Sequence, residues 1–200
     1  MAVWANFPKG RVLPYAAAQV CGAFAASAVL YFVFGDALRV FEREHGIVRG
    51  QAGSEASAMV FGEFYPNPCG RPLTPEACLR MLPPAAFGAE VIATAVLLLV
   101  IFCATDERNK ARPRVLTAAT IGLTVTLLIS LVGPLTMASF NPARDLGPRV
   151  FSALAGWGGV PFRVNGAGWW AVYIVAPLFG GLLGGGIYTV CFKRAYQDGA

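Results

Sequence analysis

"SFNPARDLGPRV", residues 139–150, lies between two long uncharged runs, and its reading decides the fold. Asn141 is a favoured helix N-cap and Pro142 suits the first helical position, so a helix begins at a defined point. Capped this way, Asn141 turns its side-chain oxygen to the helix backbone and leaves its amide NH2 free to donate outward. Arg144 then falls on the third helical position, where a capping box would carry Glu and a cation opposes the helix dipole. Such a cation has a use if it lines a narrow wet passage, donates to passing solutes and repels cations and protons. Two plainer roles stay open on these residues alone: an interfacial arginine reaching headgroups, or a surface ion pair with Asp145.

Composition identifies the solvent. Of 200 residues 56% are apolar and 14% charged, with 23 glycines, well outside the balance of a soluble domain. The formal net charge of +5 is modest, and its basic residues are not interleaved with stacking aromatics. No nucleic-acid partner is expected. Residues 12–35, 115–135 and 169–192 carry no charge, and 85–105 carries only Glu90. Each run reaches the roughly 20 residues that cross about 30 Å of hydrocarbon as a helix. Buried helices of a soluble core are the alternative, disfavoured because these runs fill nearly half of the chain. The first 11 residues lack the apolar centre of a signal peptide.

Basic residues orient the spans. The segment before residue 12 has Lys9 and Arg11 and no acid, and 106–114 sets Arg108, Lys110, Arg112 and Arg114 against Asp106 and Glu107. Lys193 and Arg194 follow the last run, whereas 36–84 is nearly balanced, with five basic and six acidic residues. Short basic loops stay in the cytoplasm, which predicts a cytoplasmic C-terminus and places 36–84 and 136–168 outside. Within 136–168 the helix-like piece at about 142–154 has only 13 residues. It reaches roughly 20 Å, too short to cross. Flanked by two spans that both end outside, it must dip in and return. Irregular backbone at that depth survives only where protein or water satisfies it, which predicts a cavity.

The residues around this turn resemble the aquaporin (major intrinsic protein) family. "NPAR" is similar to the second signature of that family, and "NPARD" to its glycerol-facilitator branch. "VLPYAAAQVCGAF", "GIVRG", "YPNP", "GPLT", "NPARDLGPRVFSALAGWG" and "APLFG" fall in that branch's order over nearly the whole chain. The resemblance implies an all-α membrane protein, an aquaporin-like inverted-repeat bundle with four transmembrane helices here and one re-entrant half-helix. Residues 1–200 would form a single channel domain: 12–35 the last span of the first repeat, 36–84 an outer loop, 85–192 a complete second repeat. The implied function is a passive channel for glycerol and other small neutral solutes, with water. The implied setting is a homotetramer in the lipid bilayer of the cell inner (plasma) membrane, without cofactor or metal.

Carried over by position, Asn141, Pro142 and Ala143 resemble the signature whose amide donor orients water or hydroxyls midway along the pore. Arg144 resembles the selectivity-filter arginine. Five positions resemble those that mark glycerol channels: Phe34, Asp145, Arg149, Pro177 and Leu178, with Asp145 expected to open the outer loop and widen the filter. Glu90 resembles a glutamate that accepts backbone hydrogen bonds from the re-entrant loop and braces it. Ala138 stands where such channels carry an aromatic ring, and Ile129 where they carry glycine, so the greasy side of the filter is rebuilt. Gln19 is expected to hydrogen-bond a neighbouring helix, and the glycines of 180–186 to let the last span pack closely.

The family has two inverted repeats, each with three spans and one half-helix. Only the third span of the first repeat is matched, so the natural protein is expected to begin about one span-pair earlier, with Met1 an internal or misassigned start. Cys21, Cys103 and Cys191 are expected to act as small apolar residues, while Cys69 and Cys78 could clip the outer loop as a disulfide. No nucleophile-base pair, phosphate loop or metal-ligand spacing is present, which argues against an enzyme. Two other classes stay open: a non-conducting membrane remnant or interaction subunit, and half of a secondary transporter.

Overall fold

The uncharged run that begins at residue 12 forms a helix, α1, but it does not stop where the charges return. In the computed structural model, which describes residues 7–76, 81–109 and 115–198, α1 spans Val12–Glu44. Residues 36–44 hold neither proline nor glycine, so nothing in them breaks the helix. It ends at a Schellman turn. Gly46 takes φ 63, and the N–H groups of Gly46 and Ile47 donate to the carbonyls of Arg43 (3.3 Å) and Glu42 (2.8 Å). The connector after α1 therefore starts about nine residues later than the charge pattern suggested.

The other spans fall close to their apolar runs. Helix α2 covers Pro83–Thr105 and α3 covers Thr117–Thr136. The half-helix α4 covers Pro142–Ser152 and continues in wider π-type turns to Trp157, where Gly156 at φ 116 breaks it. The last span, α5, is Gly168–Tyr196. Its turns widen over Ala171–Val175, just before Pro177. A proline has no N–H for the preceding turn, and the wide turn absorbs that missing bond. Among the described residues all regular structure is helical.

Two helices are central and two peripheral. Helix α2 packs against α5 and α3, and α1 packs against α4. Glycine makes the tightest of these approaches possible. A Cβ on Gly180 would lie 2.5 Å from the carbonyl oxygen of Val91, and one on Gly147 would lie 2.6 Å from that of Val20. Only 6% of the apolar windows of α1 and α3 is buried, against 39% in α2 and 33% in α5. The exposed faces, with Phe32 90% and Leu131 72% exposed, would be untenable in water over such an area and suit lipid.

The described part of the connector, residues 45–76, is packed onto one end of the bundle. Phe61, Phe64 and the one-turn helix Glu55–Ala58 bury against Phe151 and Trp157. Arg49 pins it, with Nε 2.9 Å from Glu42 and the guanidinium 4.1 Å from the Trp157 ring centre. Cys78 lies outside the described residues, and with it the expected pairing to Cys69.

Candidate functional site

The approach to α4 is strained and braced. Met137, Ala138 and Phe140 all sit at positive φ, 65, 59 and 53, where side chains are poorly tolerated. Such backbone persists only when its surroundings hold it. Glu90, fully buried in α2, does so. Its carboxylate accepts from the Thr136 hydroxyl (2.6 Å) and from the backbone N–H groups of Ser139 (3.0 Å) and Phe140 (2.9 Å). Two backbone donors that hydrocarbon would leave unpaired are satisfied by one side chain.

The first turn of α4 follows from that brace. Asn141 is extended, at φ −150, and its Oδ1 accepts from the N–H of Ala143 at 2.9 Å. Arg144 keeps 45% of its side chain exposed and pairs with Glu63 of the connector, and not with Asp145. Two cavities meet at this turn. One of about 480 Å³, on the connector side, is lined by Met59, Phe61 and Glu63. The other, of about 780 Å³, runs along Ile101, Val125 and Leu182. Gln19, Asn141 and Arg144 line both. Gln19, expected to bond another helix, thus lines both cavities beside α4, against which α1 packs.

The remaining site residues separate into two groups. Ala138, Ile129, Pro177 and Leu178 line the larger cavity. Phe34 lies in a different groove, with Tyr31, Leu38 and Phe41. Asp145 and Arg149 are fully buried and line neither cavity. Arg149 grips Asp145 through Nε (2.8 Å) and Nη2 (2.7 Å) and donates to the carbonyls of Pro161 and Glu63. Asp145 Oδ1 in turn accepts from the N–H of Glu63 at 2.9 Å. Asp145 therefore draws the connector in and fastens it to α4. Its short side chain, one turn before Arg149, can bond both the guanidinium and a passing backbone.

Glu63 was not singled out from sequence. Its one signal is a lone acid inside the apolar stretch Val60–Tyr65. It is 4% exposed, and among the described residues its Oε2 has no hydrogen-bond partner. Burial favours the neutral acid and contact with Arg144 favours the carboxylate. Burial is the larger influence and pushes the Glu63 carboxyl up to about 8.

A bundle with a braced half-helix and two cavities meeting at an Asn–Arg turn invites comparison with known proteins. The profile of the family described as Major intrinsic protein matches residues 1–188. The chain belongs to that family. It is 39% identical to a glycerol uptake facilitator protein of Pseudomonas aeruginosa, over all of this chain and 68% of that one. It is 36% identical to the glycerol uptake facilitator protein of Escherichia coli K12, over 97% of this chain and 64% of that one. Aquaporin-9 of Rattus norvegicus is 37% identical over 97% of this chain and 59% of its own length. The chain thus spans about two thirds, or less, of the length of these relatives. The fold is similar to that in the X-ray structure of the aquaglyceroporin from Plasmodium falciparum, with TM-score 0.75. That likeness covers 96% of this chain and 69% of the other at 22% identity. This is a helical membrane protein of the aquaporin fold.

Proposed function

We propose that the protein is a passive channel for glycerol and other small neutral solutes, with water. One observation carries the reading. Two cavities share the Asn141–Arg144 turn, one bounded by the connector and one by α2, α3 and α5, and Asn141 and Arg144 line both. Donors fixed at the narrow point of a wet path can replace a solute's lost hydration, while Arg144 and the helix N-terminus disfavour cations. Glu90 holds the turn in place. Ala138 removes bulk and Ile129 adds it on the apolar side of the larger cavity, which leaves room for a three-carbon polyol. Names of relatives, glycerol uptake facilitator proteins among them, support the same solute class. The relatives are facilitators by name, which favours a channel over an enzyme or half of a transporter. In this reading residues 1–200 belong to one channel domain, the chain sits in the cell inner membrane with its C-terminus in the cytoplasm, and it assembles as a homotetramer.

Reconstitution of the natural gene product into liposomes, with stopped-flow light scattering, tests this. Glycerol and water flux above empty liposomes is expected, linear in solute concentration and indifferent to ion gradients. Water flux with glycerol excluded would overturn the solute class. Saturating, gradient-dependent flux would replace the channel with a secondary transporter.

A further inference from the structure

Arg144 is half exposed at the meeting point of the cavities, yet one of its arms is held by a residue from another part of the chain. Glu63 reaches it from the connector, and the connector itself is fixed. The N–H of Glu63 is bonded to Asp145 and its carbonyl to Arg149. A Cβ on Gly62 would lie 3.4 Å from Cα and Cβ of Arg149, so the backbone lies directly on α4. The Glu63 side chain therefore has a defined origin and a single described partner. We propose that Glu63 is the positioning residue of the constriction: it holds the Arg144 guanidinium against the wall, its other N–H groups turned to the passage, and does so more firmly as a carboxylate than as an acid.

The surrounding charges leave this pair isolated. The charged and titratable groups that face Glu63 are Arg144, Asp145 and Arg149 of α4, Glu90 of α2 and Tyr173 of α5. Asp145 and Arg149 are bonded to each other, and Glu90 is occupied by Thr136, Ser139 and Phe140. Among the described residues Arg144 is the one cation left for Glu63 to hold. A carboxylate grips a guanidinium by a charge-assisted bond, whereas a protonated acid keeps only a neutral acceptor. Released, the long Arg144 side chain is free to swing across the passage. That obstructs a polyol more than it obstructs water. Because burial raises the Glu63 carboxyl to about 8, the grip tightens as pH rises through that value.

The inference rests on the channel reading, and the test separates the two. Glycerol and water permeability are measured at pH 6 and pH 9 for the natural gene product, E63Q and E63L, with yield and thermal stability in detergent as folding controls. Gln is close in shape to the protonated acid and keeps the neutral acceptor. The wild-type glycerol-to-water ratio is expected to rise about tenfold from pH 6 to pH 9, the scale of one charge-assisted bond. E63Q should stay at the wild-type pH 6 ratio at both pH values, and E63L should lie at or below it without pH dependence. A wild-type pH response retained in E63Q overturns the proposal. So does a loss of equal size at both pH values, which marks a merely structural role, and so does no change in either variant. Absence of wild-type flux fails the channel reading itself, before any substitution is compared, and removes this inference with it.

Discussion

Arg144 and Arg149 lie on one short helix, little more than a turn apart, and live in opposite surroundings. Arg149 is fully buried, gripped by Asp145 and bonded to two backbone carbonyls. The rings of Phe64, Trp169 and Tyr173 surround it at 5.2 to 5.5 Å. Arg144 keeps 45% of its side chain open and has Glu63 as its partner. The same chemical group thus serves two ends. In the second turn every guanidinium nitrogen has an acceptor and the cation is a rivet between helix and connector. In the first turn, among the described residues, Glu63 is the one ion-pair partner of Arg144, and the half-exposed side chain lines both cavities. A membrane tolerates a cation only when it is fully paired or faces a wet cavity, and α4 shows both solutions side by side.

The sharpest way to break this comparison is Arg149→Leu. It leaves Asp145 buried without its cation, and removing one partner of a buried pair costs about 3–5 kcal/mol. Chemical unfolding in detergent micelles should show a loss of that size, and the Asp145→Leu, Arg149→Leu double variant should recover a part of it. An intact stability in the single variant would mean that the pair is not what fastens the connector. Next in size is Glu90→Gln. It turns an acceptor of three hydrogen bonds into a group that presents one donor to other donors, and it should destabilise by about 1–3 kcal/mol. The backbone at Ser139 and Phe140 should then exchange amide hydrogen faster, read by mass spectrometry.

The smallest stability effect belongs to Arg144→Ala, about 0–1 kcal/mol, because the pair is partly exposed. Its consequence is functional: in liposomes the discrimination of neutral solutes against cations and protons should fall about tenfold, one strong hydrogen bond's worth. If Arg144→Ala unfolds the protein as readily as Arg149→Leu, the contrast between the two turns fails. If its selectivity is unchanged, the first turn is not the filter.

Much of this was legible along the chain because hydrocarbon imposes a local rule: a segment without charge and about 20 residues long must span. The four runs, the proline start of α4 and the cap at Asn141 needed no tertiary information. The resemblance carried by "NPARD" and the spaced blocks around it agreed with that topology. Where the sequence failed, the missing information was non-local. Whether α1 continues to Glu44 depends on a Schellman turn that charges do not announce. That Asp145 closes a connector onto α4 depends on Glu63, 82 positions away in sequence. Glu63 itself looks like any loop acid until the connector folds back and buries it beside Arg144. Sequence by itself determined where the chain crosses and where it dips, since those follow from transfer of each segment into lipid. Only the tertiary structure decided which of two arginines is bound up and which stays half exposed, since that depends on where the connector folds back onto α4.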